Sequence, residues 1–249
     1  LHRTRSAKNV ADEIEYLMKN HGVDEIYFDD DTFIVDKKRV YELCEEILRR
    51  KLKFTWLCMS RVSSVDPDIL KKMKQAGCTE IFYGFESGSQ KLLNSIKKGA
   101  TLKQAMNAVR MTQKAGIYAT GSFIIGLPED DMQSIKETLR FAIRLRADYV
   151  QFVLAAAFPG PELYETAEKS GLLKLNSWED LDGTHGGVLR TKYLTNHELE
   201  GAVRKMYVGY YTAPPIIIQN LRNVRSLADV RKIIRGAKSI ISRIAFYNE

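Results

Sequence analysis

Residues 80–90 read EIFYGFESGSQ, Glu80 to Gln90, and the way this run ends decides what kind of fold the chain builds. Ile81, Phe82, Tyr83 and Phe85 suit a buried strand, yet the run closes on Glu86, with Gly84 before it and Gly88 after it. Side chains alternate along a strand, so Phe82, Gly84 and Glu86 share one face and Ile81, Tyr83 and Phe85 the other. Two readings compete for Glu86. It can be an acid at the mouth of a following helix capped by Ser87, or a polar group lining a ligand site.

The neighbouring segments show which architecture holds this strand. Strand-like apolar runs cover Ile26–Phe28, Phe54–Met59, Thr79–Phe85, Tyr118–Ile125 and Tyr149–Ala155. Helix-period segments alternate with them at Lys38–Arg50, Asp66–Gly77, Thr101–Lys114, Asp131–Leu145 and Pro161–Ser170. Asp66-Pro67 is a capping residue followed by proline in the first turn, and Gly77, Gly116 and Gly171 are helix stops. Alternation at about 30 residues predicts successive parallel βα units, and nearly continuous apolar strands predict a sheet covered on both faces. Ser6–Asn20 reads as an amphipathic helix ahead of the first strand, with Val10, Ile14 and Leu17 inward. That order predicts an α/β partial barrel entered after its first strand, over residues 1–175, and a mostly helical C-terminal extension over 176–249. In the extension, Asn176–Thr195 lacks a period and contains a glycine-rich loop at Asp182–Gly187. Asn196–Tyr210 reads as a helix that Pro214 and Pro215 break, and Leu227–Phe246 as a basic amphipathic helix.

Ligands of parallel α/β folds sit at the carboxyl ends of the strands, and those ends are polar here. The first gives Asp29, Asp30 and Asp31, the second Ser60 and Arg61, the third Glu86 and Ser87. The fourth ends in GSFIIGLPED, and the fifth carries Gln151. On the fourth strand Thr120, Ser122, Ile124 and Gly126 share a face opposite Phe123 and Ile125. Bulky faces meet the helices, so the faces holding Gly, Ser, Thr and Glu are expected to line the interior and leave room for a ligand. The three aspartates also read as a solvated turn, or as oxygen ligands for a hard cation.

Composition narrows the classes. No run of 18 apolar residues predicts a membrane span, and residues 1–9 do not resemble a secretory signal. Cys44, Cys58 and Cys78 have no metal spacing and read as reduced core thiols of a cytosolic protein. His2, His21, His185 and His197 form no zinc pattern, and neither a nucleophile elbow nor a phosphate-binding P-loop occurs. Of the net charge of +7, five units fall within Asn220–Glu249. The rest of the chain is nearly balanced, which argues against a general nucleic-acid coat.

Taken together, VADEIEYLMKNHGVDEIYFDDDTF, SRVSSVDPDILKKMKQAGCTEIFYGFESGSQKLLNSIKKGATLKQAMNAV, AGIYATGSFIIGLPEDD and DYVQFVLAAAFPGPELY resemble the radical S-adenosylmethionine (SAM) enzymes. The resemblance covers roughly residues 8 to 165 and is to the branch whose members often carry a cobalamin-binding domain. It implies a partial (βα)₆ barrel with SAM across the strand ends. By the same resemblance, Asp30 or Asp31 meets the methionine amino group, Arg61 its carboxylate, and Glu86 and Ser87 the ribose. The Gly-x-Ile-x-Gly-x-x-Glu motif falls on Ser122, Ile124, Gly126 and Glu129, with Ile124 against adenine and Ser122 in place of the first glycine. Gln151 and the backbone near Ala155 take the last strand's adenine contacts.

The resemblance further implies a [4Fe–4S] cluster on a Cys-x-x-x-Cys-x-x-Cys loop that does not occur in this sequence. The expectation is therefore a fragment, with that loop and any cobalamin domain upstream of Leu1, inactive by itself. In the intact enzyme a 5′-deoxyadenosyl radical would serve methyl transfer or rearrangement at an unreactive carbon. The implied partners are a small-molecule substrate and a reductant such as flavodoxin or ferredoxin. The tyrosine-rich YVGYYTAPPIII resembles segments of relatives acting on large hydrophobic substrates, and 227–246 reads first as packing on the barrel or an upstream domain, then as a membrane-surface helix, and last as an RNA contact. Two rival readings are a cluster-free SAM- or nucleotide-binding barrel serving as sensor or scaffold, and an ordinary α/β-barrel lyase. The lyase reading lacks a lysine or histidine at a strand end to partner the acids.

Overall fold

Helices begin where a side chain can close their open N–H groups. Ser6 accepts from the Asn9 amide ahead of α1 (Ala7–His21), and Asp36 from Arg39 ahead of α2 (Lys37–Arg49). Asp66 accepts from Asp68 and Ile69 ahead of α3 (Pro67–Gln75), whose first turn contains Pro67. Asp131 and Ser134 cap α6 (Met132–Leu145) reciprocally, as Thr195 and Glu198 cap α8 (Asn196–Tyr211). The other helices are α4 (Gln90–Ser95), α5 (Leu102–Lys114), α7 (Glu162–Lys169) and α9 (Pro214–Arg222). The computed structural model describes residues 4–156, 158–160, 162–173 and 189–222, together with 236 and 238. The glycine-rich loop at Asp182–Gly187 lies outside the described residues, as does the 227–246 segment apart from residues 236 and 238.

Five strands, β1 (Glu25–Phe28), β2 (Thr55–Ser60), β3 (Cys78–Glu86), β4 (Tyr118–Ile125) and β5 (Tyr149–Leu154), form one sheet in the order β1-β2-β3-β4-β5. The sheet is parallel, with Phe28 opposite Cys58 and Met59 opposite Phe82. This is the α/β class that the alternation predicts. Two helices depart from the sequence reading. Pro214 and Pro215 start α9 instead of only ending α8, because a proline in the first turn lacks an N–H that would have no helical partner anyway. After β3, helix α4 starts at Gln90 behind Ser89, and Ser87 is not its cap.

The chain forms two compact units. The first comprises Leu1–Gly84, Lys103–Gly121 and Ala147–Tyr149. Its core centres on Trp56, fully buried, whose ring meets Phe28 and Phe33 and whose indole N–H donates to the Ala76 carbonyl at 2.7 Å. Tyr83 shares a 2.7 Å hydrogen bond with Thr112. Gly77 has φ +96°, and a side chain there would meet the Phe54 carbonyl oxygen at 2.4 Å.

The second unit comprises Phe85–Leu102, Ser122–Arg146 and Val150–Glu249. Phe123 packs on Phe85, Phe141 and Phe152, and Phe152 on Tyr207 and Tyr210. The tyrosines also close the outer edge of β5. The Tyr207 hydroxyl accepts from the Phe152 amide at 3.1 Å, and the Tyr211 hydroxyl donates to the Val150 carbonyl at 2.9 Å. An open edge would leave those backbone groups exposed to another strand. The YVGYY run is thus packed against β5, with Tyr207 and Tyr210 buried. By contrast, Pro214, Ile217, Ile218 and Leu221 form an exposed row on α9. Among the described residues no helix is long and apolar enough to cross a membrane.

Candidate functional site

The alternation read from the sequence reappears as alternating burial. In the first unit Trp56, Cys58, Ile81 and Tyr83 are buried, while Leu57, Met59 and Phe82 of the opposite parity are half-buried. In the second unit Phe85, Phe123, Ile125, Val150 and Phe152 are buried, and Glu86, Ser122, Ile124 and Gln151 are half-buried. In the second unit the covered face is the bulky one; in the first, Leu57, Met59 and Phe82 make the half-buried parity bulky as well. The face left accessible carries the residues expected to meet a ligand.

Within the first unit the candidates are solvent-exposed. Asp29, Asp30 and Asp31 follow the end of β1, and Arg61 follows β2. Among the described residues no three His, Cys, Asp or Glu side chains converge as a metal site. Ser60 is 4% exposed and its hydroxyl has no hydrogen-bond partner. It shares its parity with Trp56 and Cys58, on the covered side, and so lies off the half-buried row.

Within the second unit the strand ends are built more tightly. Glu86 takes a left-handed backbone, φ 62°, which costs a non-glycine residue about 1 kcal/mol or more. Its carboxylate is engaged by Lys98 at 2.5 Å. This is the acid–lysine pair that the strand-end sequence does not contain, because Lys98 comes from the β3–α5 crossover. The left-handed residue ends the alternation, and Ser87 turns to α6. Ser87 is 1% exposed, shares a hydrogen bond with Thr138 and accepts from the Ser89 amide. Gly88 approaches α6 so closely that a side chain would lie 2.5 Å from the Thr138 Cα.

At the end of β4, Gly126 has φ +92°, and its amide donates to Asp130 at 2.9 Å. Asp130 is 2% exposed and also accepts from the Ser134 hydroxyl. Burial pushes its carboxyl above the ordinary range, against the pull of those bonds. Glu129, the motif acid by spacing, instead points to Lys192 at the surface. The acid bonded to Gly126 is thus not the one the motif spacing names; a contiguous Glu-Asp-Asp cannot reveal which carboxylate turns inward. Ile124 packs beside the apolar cluster of Leu92, Leu127, Ala155, Ala167 and Leu189. The Ala155 amide is taken by the Ile125 carbonyl.

A parallel α/β sheet with small, polar and apolar groups on the open parity of its strand ends defines a fold that binds ligands there. The sequence model of the radical SAM superfamily matches residues 1–142, and the chain belongs to that superfamily. It is 34% identical over 234 residues to an uncharacterized methyltransferase of Pyrococcus horikoshii, covering 94% of this chain and 50% of the relative. It is 28% identical over 215 residues to the anaerobic magnesium-protoporphyrin IX monomethyl ester cyclase of Cereibacter sphaeroides, covering 84% of this chain and 34% of that one. The fold also matches the radical SAM methyltransferase TsrM of Kitasatospora setae, solved with cobalamin and a [4Fe–4S] cluster. There the TM-score is 0.62 at 22% identity, over 69% of this chain and 33% of that one. The chain thus spans about half the length, or less, of the curated relatives it matches.

The superfamily implies SAM and an iron–sulfur cluster, and the residues present fit the two differently. For SAM the second unit offers a half-buried carboxylate, a glycine turn and an apolar wall around Ile124, a donor set suited to a nucleoside. For the cluster the cysteines do not fit. Cys44, Cys58 and Cys78 are buried, and burial pushes the Cys44 thiol up to about 12. The neighbouring Cys78 and burial raise Cys58 as well. Cluster ligation needs accessible thiolates, and these are core thiols.

Proposed function

We propose that this chain is the SAM-binding core of a radical SAM enzyme that transfers a methyl group to, or rearranges, an unreactive carbon with the help of cobalamin. The observation that carries the reading is the half-buried row of Glu86, Ser122, Ile124 and Gln151, in a chain of this superfamily. Residues 1–175 form the partial barrel in this reading, and 176–249 a C-terminal extension. In the second unit Glu86 accepts from the ribose hydroxyls, and the Ile124 and Gly126 turn receives adenine. Ser87 contributes through its carbonyl, since its hydroxyl is engaged by Thr138 and Ser89 and its amide by the Phe85 carbonyl. The similarity to a methyltransferase and a ring cyclase supports a small-molecule, large and apolar substrate. Electron supply by a flavodoxin or ferredoxin, and contact of 227–246 with a membrane surface, belong to the same proposal.

The chemistry supplied by cluster and cobalamin lies beyond the residues described; those residues bind SAM, orient it and exclude competing reactions. The test is anaerobic equilibrium dialysis of the full-length protein against SAM, with 5′-deoxyadenosine assayed after addition of reductant. Binding is expected in the wild type, and Glu86→Gln is expected to weaken it about tenfold, the loss of one or two net hydrogen bonds. Absence of SAM binding would refute the reading, whereas binding without 5′-deoxyadenosine formation would favour the sensor or scaffold.

A further inference from the structure

The crossover after β3 does more than connect a strand to a helix. Between Glu86 and α5 the chain makes a folded excursion that ends by returning Lys98 to Glu86. Leu92 and Leu93 of α4 are 2% and 3% exposed and anchor it. Lys97 then takes a left-handed turn, φ 52°, and the Lys98 amide donates to the Leu93 carbonyl at 3.0 Å. Gln90 ties the base of the loop beyond Lys98. Its side chain donates to the Ala100 carbonyl at 3.2 Å and accepts from the Leu102 amide at 3.1 Å. The lysine is therefore delivered by an ordered backbone. Its side chain is 21% exposed and that of Glu86 15%, so the pair is shielded from the screening that weakens surface ion pairs.

An ion pair in this setting offers little stability beyond that of a well-packed apolar pair, and it is made at a residue with a left-handed backbone. Strain at a residue that also faces the open parity points to a ligand-directed arrangement. We propose that Lys98 is a positioning residue for SAM: it holds the Glu86 carboxylate at the end of β3, oriented to accept from a vicinal diol. Resting on the SAM-binding reading above, this adds a residue that no strand end supplies.

The test is a double-mutant cycle on SAM affinity in the full-length protein, by anaerobic equilibrium dialysis, with thermal melts as folding controls. Lys98→Met should weaken SAM about tenfold, Lys98→Arg should recover most of the loss, and Lys98→Met in a Glu86→Gln background should add less than about twofold. Lys98→Gln carries the same test if the methionine variant is unstable. Wild-type affinity in Lys98→Met would overturn the proposal while leaving SAM binding intact. An undiminished effect in the Glu86→Gln background would also overturn it, because Lys98 would then act independently of Glu86. A wild type that binds no SAM would remove the underlying reading and this inference with it.

Discussion

Which acid organises the turn after β4 can be decided by stability. Asp130 is 2% exposed, accepts from the Gly126 amide at 2.9 Å and takes a bond from the Ser134 hydroxyl. In Asp130→Ala the Ser134 hydroxyl keeps the Asp131 carbonyl at 2.9 Å, whereas Gly126 loses the acceptor named here. A bond to a charged group contributes about 1.5–3 kcal/mol, and an orphaned buried amide costs about 1–3 kcal/mol. Relief of the buried carboxylate offsets part of this, leaving about 3 kcal/mol of destabilisation. Glu129→Ala removes an ion pair whose side chains are 36% and 50% exposed, so its cost should stay within about 0.5 kcal/mol. Urea unfolding followed by circular dichroism, with the slope unchanged, measures both. The pH dependence has a definite sign. Because the folded-state pKa of Asp130 is raised, its contribution is fully present below the ordinary carboxylate pKa and is lost as pH rises through the raised value. Wild type should therefore gain on Asp130→Asn as pH falls through that window. A loss below about 1 kcal/mol for Asp130→Ala, or a larger loss for Glu129→Ala, would refute the assignment.

Three further outcomes are expected. Gly88→Ala should cost about 3 kcal/mol, since its Cβ would sit 2.5 Å from the Thr138 Cα and 2.7 Å from the Phe141 Cβ; a variant melting with the wild type would show that α6 yields. Tyr207→Phe removes the acceptor of the Phe152 amide and should cost about 1–2 kcal/mol. Amide exchange at Phe152 should accelerate, and unchanged protection would mean that the edge closes without the hydroxyl. Substituting Cys44, Cys58 and Cys78 singly by alanine should leave the iron content of the reconstituted full-length protein unchanged. Loss of iron in any folded variant would contradict their assignment as core thiols.

Much of the architecture is legible because period and punctuation agree. Asp66-Pro67, the glycine stops and the alternating apolar runs each specify an element locally, and the sheet follows from their order. The open parity of β3 and β4 is legible for the same reason: covering the bulky face of a strand leaves the small and polar face uncovered. Three features depend on packing at a distance. Adjacent carboxylates Glu129 and Asp130 are told apart by which one turns beneath Gly126. The tyrosines of α8 reach β5 through hydroxyls that composition makes equally suited to a substrate pocket. Lys98 meets Glu86 only because α4 folds back, and no pattern of single residues encodes that return.

The GFESG turn shows how one backbone angle divides two tasks. Strict alternation would carry Ser87 to the covered face and place Gly88 on the row below any ligand. The left-handed turn at Glu86 breaks that order. It leaves the Glu86 carboxylate on Lys98 and sends Ser87 and Gly88 together onto α6, where both bond to Thr138. The glycine is needed there for helix contact, whereas Glu86 stays on the open parity. A polar strand end among glycines therefore need not be a ligand site throughout. In this turn one side chain stays on the open parity, and its two neighbours fasten the strand to the helix beside it.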